Sequence, residues 1–244
     1  LPDIAALIDP EQFELITGPE SGVVVLRGAA GTGKTTVALH RIAYLNYAHP
    51  NDFPAHKILV VVWGRAMRDY VAHVLPALGV NGVQVSTWER WARSMVRRHY
   101  PRLPQSVSDD TPEPVVRVKL HPSIAEELAA MARSPGQRTP EAALEDWGTL
   151  LTDKARLTTL LGDDITEPQL DKVVDWCTRQ WNAVNAWYEG DREVDARLDP
   201  EDDALLLRAW QLRMGPLRSI KKRPIQYAHM VLDEVQDFSP VEVQ

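Results

Sequence analysis

The stretch that most constrains this chain is GAAGTGKTT, Gly28 to Thr36. It fits G-x-x-x-x-G-K-[ST], with Gly28, Gly33, Lys34 and Thr35 in register. An apolar run, Val23-Val24-Val25-Leu26, precedes it and predicts a buried parallel strand. The run from Thr36 to Asn46 predicts a helix. Strand, glycine loop and helix together make a phosphate site. Glycines let successive backbone N–H groups curl around an anion, and the helix N-terminus adds partial positive charge. The nucleotide-binding set is Gly28, Ala29, Ala30, Gly31, Thr32, Gly33, Lys34, Thr35 and Thr36. Lys34 would reach the β- and γ-phosphates of ATP, and the Thr35 hydroxyl would ligate Mg²⁺.

A second element has the chemistry to complete that site. Tyr227 to Leu232 reads as a strand ending in Asp233-Glu234. An Asp at the carboxyl end of a parallel strand stands where Mg²⁺ is held beside a phosphate loop. The adjacent Glu234 can take a proton from the attacking water.

Between these two elements the pattern changes twice. Residues 58–62 (ILVVV) predict a buried strand, 65–78 a helix striped by Met67, Tyr70, Val71, Val74 and Leu78, 83–86 a strand, and 87–100 a helix. Residues 101–122 carry five prolines and read as a linker. Residues 122–218 read as helices, with capping boxes at Ser123/Glu126 and Thr166/Gln169 and a helix opened by Asp199-Pro200-Glu201. The expected fold is a P-loop NTPase (RecA-like) α/β parallel sheet with helices on both faces, interrupted by an all-helical inserted subdomain. Its parts would be 1–100 (α/β core, first part), 101–224 (helical insertion) and 225–244 (α/β core, second part). Leu1 at the start and a helix cut short at Val241–Gln244 suggest a fragment of a longer protein.

Composition excludes some classes. A net charge of −7 argues against a basic nucleic-acid coat protein, so any nucleic-acid contact must be local. One cysteine, Cys177, allows no internal disulfide and fits a reducing, cytoplasmic setting. No run approaches a membrane span. His40, His49, His56, His73 and His99 lack metal-ligand spacing, so Mg²⁺ is the one metal expected.

Asp233-Glu234-Val235-Gln236-Asp237 resembles motif II, D-E-x-Q-D, of superfamily 1 helicases of the UvrD/Rep type. Gln12 is similar to that family's adenine-reading glutamine, whose amide both donates and accepts. The run Val37 to Leu45 (VALHRIAYL) resembles the helix after the family's loop. Ile58 to Trp63 and Ser86-Thr87-Trp88 fall where its motifs Ia and Ib lie. The resemblance implies an ATP-driven motor on nucleic acid, with Lys34, Glu234 and Gln236 catalytic and Asp233 with Thr35 on Mg²⁺. It also implies a second motor domain carrying arginine fingers.

Arg65-x-Met67-x-x-Tyr70-Val71, Val74 to Gly79 and Asp202 to Leu207 resemble the HelD subgroup, helicase IV-like proteins that bind RNA polymerase. Two words depart from the UvrD pattern. Thr36 stands where an arginine stacks on adenine, and Gly64-Arg65-Ala66 replaces Thr-Asn-Lys words that contact single-stranded DNA.

Three residues are candidate nucleic-acid contacts: Trp63, Arg65 and Trp88. The two tryptophans either stack on bases, at roughly 1–3 kcal/mol each, or pack in the core. Arg90, Arg93 and Arg97 share a helix face that either holds phosphates or is solvated. Two polymer partners follow: single-stranded DNA for a translocase, or a transcription complex for a remodelling factor. A small-molecule kinase would not need D-E-x-Q-D.

Overall fold

The computed structural model describes residues 9–29, 31–133 and 136–243. Two compact units emerge. One runs up to Trp88 and takes in Gln226–Val235; the other covers Glu89–Ile225 and the residues from Gln236. The division falls inside the 87–100 helix and inside the D-E-x-Q-D word.

The first unit is a mixed α/β layer. Its sheet has three parallel strands in the order β2-β1-β3: β1 is Ile58–Val62, β2 Gln84–Thr87 and β3 His229–Leu232. All five residues of β1 are buried, which is what an unbroken Ile/Leu/Val run requires of a central parallel strand. Helix α1 (Pro10–Thr17) comes first, then α2 (Lys34–Ala48), and α3 (Arg65–Ala77) crosses from β1 to β2. Leu39, Ile42 and Leu45 of α2, Ile58, Val60 and Val62 of β1, and Val71 and Leu75 of α3 form one apolar core. Tyr70, expected in the α3 stripe, stays exposed.

The expected strand at Val23–Leu26 does not form. The segment has no regular structure, and Val23 is 91% exposed. A strand exists through its ladder, and the sheet's pairings join β1 to β2 and β1 to β3 without engaging Val23–Leu26. Apolarity gives a segment a reason to be buried but supplies no pairing partner.

The second unit is helical: α4 (Trp88–His99), α5 (Glu113–Lys119), α6 (Pro122–Arg133), α7 (Pro140–Thr152), α8 (Lys154–Leu161), α9 (Glu167–Glu189), α10 (Asp202–Met214) and α11 (Pro240–Val243). Helix α5 corrects the reading of 101–122 as linker throughout. Pro112 is its N-cap and Pro114 lies in its first turn, where a missing N–H costs nothing. Val115 and Val118 are buried. The box at Thr166/Gln169 forms. The one at Ser123/Glu126 does not, because α6 already begins at Pro122 and the Ser123 N–H meets His121 Nδ1 at 3.3 Å. Helix α10 starts at Asp202, three residues past Asp199, whose carboxylate turns inward instead.

Helices α7 and α9 approach closely at Gly148, where an added Cβ would lie 2.3 Å from the Trp181 ring. Trp147 meets the same ring edge-on at 5.9 Å. Beside this contact lies a buried polar knot. Lys119, fully buried, reaches Asp199 Oδ2 at 2.5 Å, Asp202 Oδ1 at 2.6 Å and Gln180 Oε1 at 2.8 Å. Trp176 Nε1 and the Thr111 hydroxyl donate to Asp199, and Trp147 Nε1 and Gln180 Nε2 donate to Asp202. Burial alone would push the Lys119 ammonium down, but Asp202 and Asp199 hold it firmly protonated. Burial pushes the neighbouring Cys177 thiol up to about 12. No helix among the described residues is long and apolar enough to cross a membrane.

Candidate nucleotide site

The phosphate loop leads directly into α2. Gly33 caps the helix at φ 82° and Gly31 turns at φ 81°, a region in which an L side chain is strained. The tight loop is braced from within: the Thr32 hydroxyl donates to the Ala29 carbonyl at 2.9 Å. Thr36 is exposed on the first turn of α2. Ala30, also expected in the site, lies outside the described residues.

Lys34 folds back over its own loop. Its ammonium donates to the carbonyls of Gly28 at 3.0 Å and Ala29 at 2.9 Å. These are neutral acceptors, and Lys34 makes no ion pair among the described residues. A phosphate would offer the same ammonium full negative charge.

Thr35 ties the loop to the tip of β3. Its hydroxyl donates to Asp233 Oδ1 at 3.1 Å. Strand β3 is in register with β1 through Val61↔Leu232, and the Asp233 N–H continues that ladder to the Val61 carbonyl at 3.0 Å. The ladder therefore sets where the carboxylate stands. Asp233 Oδ2 is buried with no hydrogen-bond partner among the described residues. A buried, unpartnered carboxylate oxygen beside a hydroxyl matches the all-oxygen donor set that Mg²⁺ takes, so the residues present fit the ion.

Glu234 follows at φ 53°, one of two non-glycine residues with positive φ among those described. Its side chain is exposed. Holding a glutamate in this left-handed region costs on the order of 1 kcal/mol, strain of the kind that clusters at functional sites. Gln236 is exposed in a short 3-10 turn, Val235–Asp237, at the point where the chain passes to the other unit.

Gln12 is the third residue of α1 and completes its capping box with Asp9. The Asp9 carboxylate accepts the Gln12 N–H at 2.8 Å, and the Asp9 N–H reaches Gln12 Oε1 at 3.4 Å. Gln12 Nε2 points at the Thr32 carbonyl, 3.5 Å away. Sequence places Gln12 upstream of the loop; the fold places it against the loop.

Trp63 follows β1 and Trp88 follows β2, immediately after the paired positions Val62↔Thr87. They leave neighbouring strands at the same carboxyl edge that carries Asp233 on β3. Trp63 is 56% exposed and Trp88 half-buried. Arg65 is exposed at the start of α3. The expected basic face on α4 is not intact. Arg93 is 13% exposed and meets Asp203 at 2.9 Å, so it is used within the helical unit. Among the described residues no group of three His, Cys, Asp or Glu side chains could hold another metal ion.

A parallel sheet with a glycine loop opening a helix, and an acid-tipped strand hydrogen-bonded to that helix, defines the P-loop NTPase class. Within it, the chain belongs to the UvrD/REP helicase N-terminal domain family, whose profile matches residues 8–244. It is similar to DNA helicase II of Salmonella typhimurium, 24% identical over 98% of this chain, and to DNA helicase II of Escherichia coli at the same identity. The chain spans 32% of the length of each of these relatives.

Sequence reasoning missed two groups. The Lys119 knot was signalled only by a lysine on the apolar face of VVRVKL. Arg41 was signalled only as a basic residue inside the largely apolar run Val37 to Leu45.

Proposed function

We propose that the chain is the ATP-binding motor part of a superfamily 1 DNA helicase and that, in the full-length protein, it hydrolyses ATP to move on nucleic acid. The observation that carries this reading is the Thr35–Asp233 bond, with Asp233 Oδ2 left for a cation. Loop N–H groups and the N-terminus of α2 would hold the β- and γ-phosphates. Lys34 would exchange two carbonyls for phosphate oxygens. Thr35 and Asp233 would hold Mg²⁺, which neutralises phosphate charge when bound. Glu234 would orient water and accept its proton. An arginine finger from a second motor domain adds about 10³–10⁵ in rate in this chemistry, so the chain by itself is a feeble ATPase.

DNA as the polymer is supported by the exposed Trp63 and Arg65 at the sheet edge that carries Asp233, and by the two DNA helicase II relatives. A second reading, a HelD-type factor that acts on transcription complexes and binds RNA polymerase, has its own support. Arg93 is spent on Asp203, and Gly64-Arg65-Ala66 stands where strand contacts are expected.

ATPase assays on the full-length protein separate the two. A DNA motor shows strong stimulation by single-stranded DNA, lost in Trp63→Ala. A polymerase-directed factor shows little stimulation and co-purifies with RNA polymerase. Lys34→Ala abolishes turnover in either case; an unchanged rate in that variant would sink the nucleotide site itself.

A further inference from the structure

Arg41 sits on α2, seven residues beyond Lys34, and is 6% exposed. A buried guanidinium is costly unless it is paired. Among the described residues Arg41 forms no ion pair with a carboxylate. It spends its Nη donors on backbone carbonyls instead, while Nε is buried without a hydrogen-bond partner among the described residues. Nη1 donates to Leu15 at 3.0 Å, to Ile16 at 3.1 Å and to Gly18 at 3.5 Å, and Nη2 donates to Pro19. These are the carbonyls on which α1 ends and the chain turns away. The last carbonyls of a helix lack partners of their own and carry partial negative charge, so a cation there is favourable twice over.

Among the described residues little else anchors α1. It has eight residues, and Ile16 is its one buried side chain. Phe13 and Leu15 are 59% and 41% exposed. A helix this short is marginal in water without tertiary support. At its other end, Gln12 Nε2 approaches the loop at 3.5 Å, the long limit for a hydrogen bond. The firm hold on the helix that carries Gln12 therefore comes from α2, the helix that the phosphate loop opens.

We propose that Arg41 is the positioning residue for recognition of the nucleotide base. By clamping the C-terminal carbonyls of α1 it fixes Gln12 relative to the phosphates and so sets the preference for adenine over guanine. This rests on Gln12 being the adenine contact. A side-chain amide can meet the donor N6 and acceptor N7 of adenine together, whereas guanine presents two acceptors there. That discrimination needs the amide held in place, and a shift of about 1 Å is enough to lose such a geometry. Lysine at position 41 keeps the charge but cannot fork among four carbonyls.

The test measures dissociation constants of the full-length protein for ATP, GTP and tripolyphosphate, with melting temperature as a fold control. In Arg41→Lys, ATP binding weakens about tenfold, while GTP and tripolyphosphate binding hold. The ATP/GTP ratio falls to that of Gln12→Ala. The double variant Arg41→Lys/Gln12→Ala loses nothing further, as expected of residues acting through one contact. An equal loss on tripolyphosphate, or an unchanged ATP/GTP ratio in Arg41→Lys, overturns the proposal. If Gln12→Ala keeps the ratio while Arg41→Lys lowers it, the Gln12 reading fails, and Arg41 stands as the support of another base contact on α1.

Discussion

The two compact units treat their charges in opposite ways. In the helical unit, Lys119 finds two carboxylates and an amide oxygen, and Asp199 and Asp202 also accept from two indoles and a threonine hydroxyl. In the α/β unit, Lys34 rests on two neutral carbonyls, Asp233 keeps an orphan oxygen, and Glu234 is exposed at positive φ. A charge whose partners come from its own chain is structural. A charge left on weak partners at a strand end is available to a ligand. Burial alone would have ranked these sites in the wrong order, because the most buried ionic cluster is the one with nothing left to bind.

The sharpest way to break this comparison is Lys119→Met. It leaves two buried carboxylates facing an apolar stem, and removing one partner of a buried ionic cluster costs about 3–5 kcal/mol. The loss shows in chemical denaturation of the chain. Replacing Lys119, Asp199 and Asp202 together by apolar residues of similar volume should recover most of it. A single variant with parental stability would mean that the knot is solvated and not structural.

Glu234→Gln tests the other half. The amide keeps the shape but cannot accept a proton, so in the full-length protein hydrolysis falls by at least about 100-fold. ATP binding and the melting temperature stay put, since an exposed side chain contributes little to the fold. If stability falls and turnover does not, Glu234 belongs with the structural charges, and the base lies elsewhere.

The contrast also explains what sequence could reveal. The phosphate loop was legible because its demands are local: glycines at positive φ, a lysine and a threonine at fixed spacing. Asp233 was legible because an apolar run ending in acids has few other uses beside such a loop. The central strand Ile58–Val62 was legible because five consecutive β-branched and leucine residues suit a strand buried on both faces. The failures are non-local. Val23–Leu26 has the apolarity of a strand but no ladder. Arg93 reads as part of a basic face until Asp203 arrives from another helix. Lys119 falls in a stretch that reads as linker until Asp199 and Asp202 close around it. Helical periodicity places a side chain on its own helix, but not the partner that a distant segment brings.

The smallest expected effect concerns the Arg93–Asp203 pair, which lies between the two kinds of charge. Only one prong is made, Arg93 Nε to Asp203 Oδ2; Arg93 Nη1 and Asp203 Oδ1 are buried without hydrogen-bond partners among the described residues. Burial therefore outweighs the attraction of Arg93, and the Asp203 carboxyl is pushed up to about 7 from its ordinary 3.8. The folded state then holds this proton more tightly than the unfolded chain does. The group's favourable contribution is complete below pH 3.8 and is lost as pH rises through about 7. Asp203→Asn removes the titration, so the variant gains stability relative to the parent across that window. Because other carboxylates, Asp199 among them, shift the opposite way, the measurement is the parent-minus-variant difference in denaturation free energy from pH 4 to 8. A difference that is flat with pH would mean that Asp203 is ionised throughout and that its pair with Arg93 is as fully satisfied as the Lys119 knot.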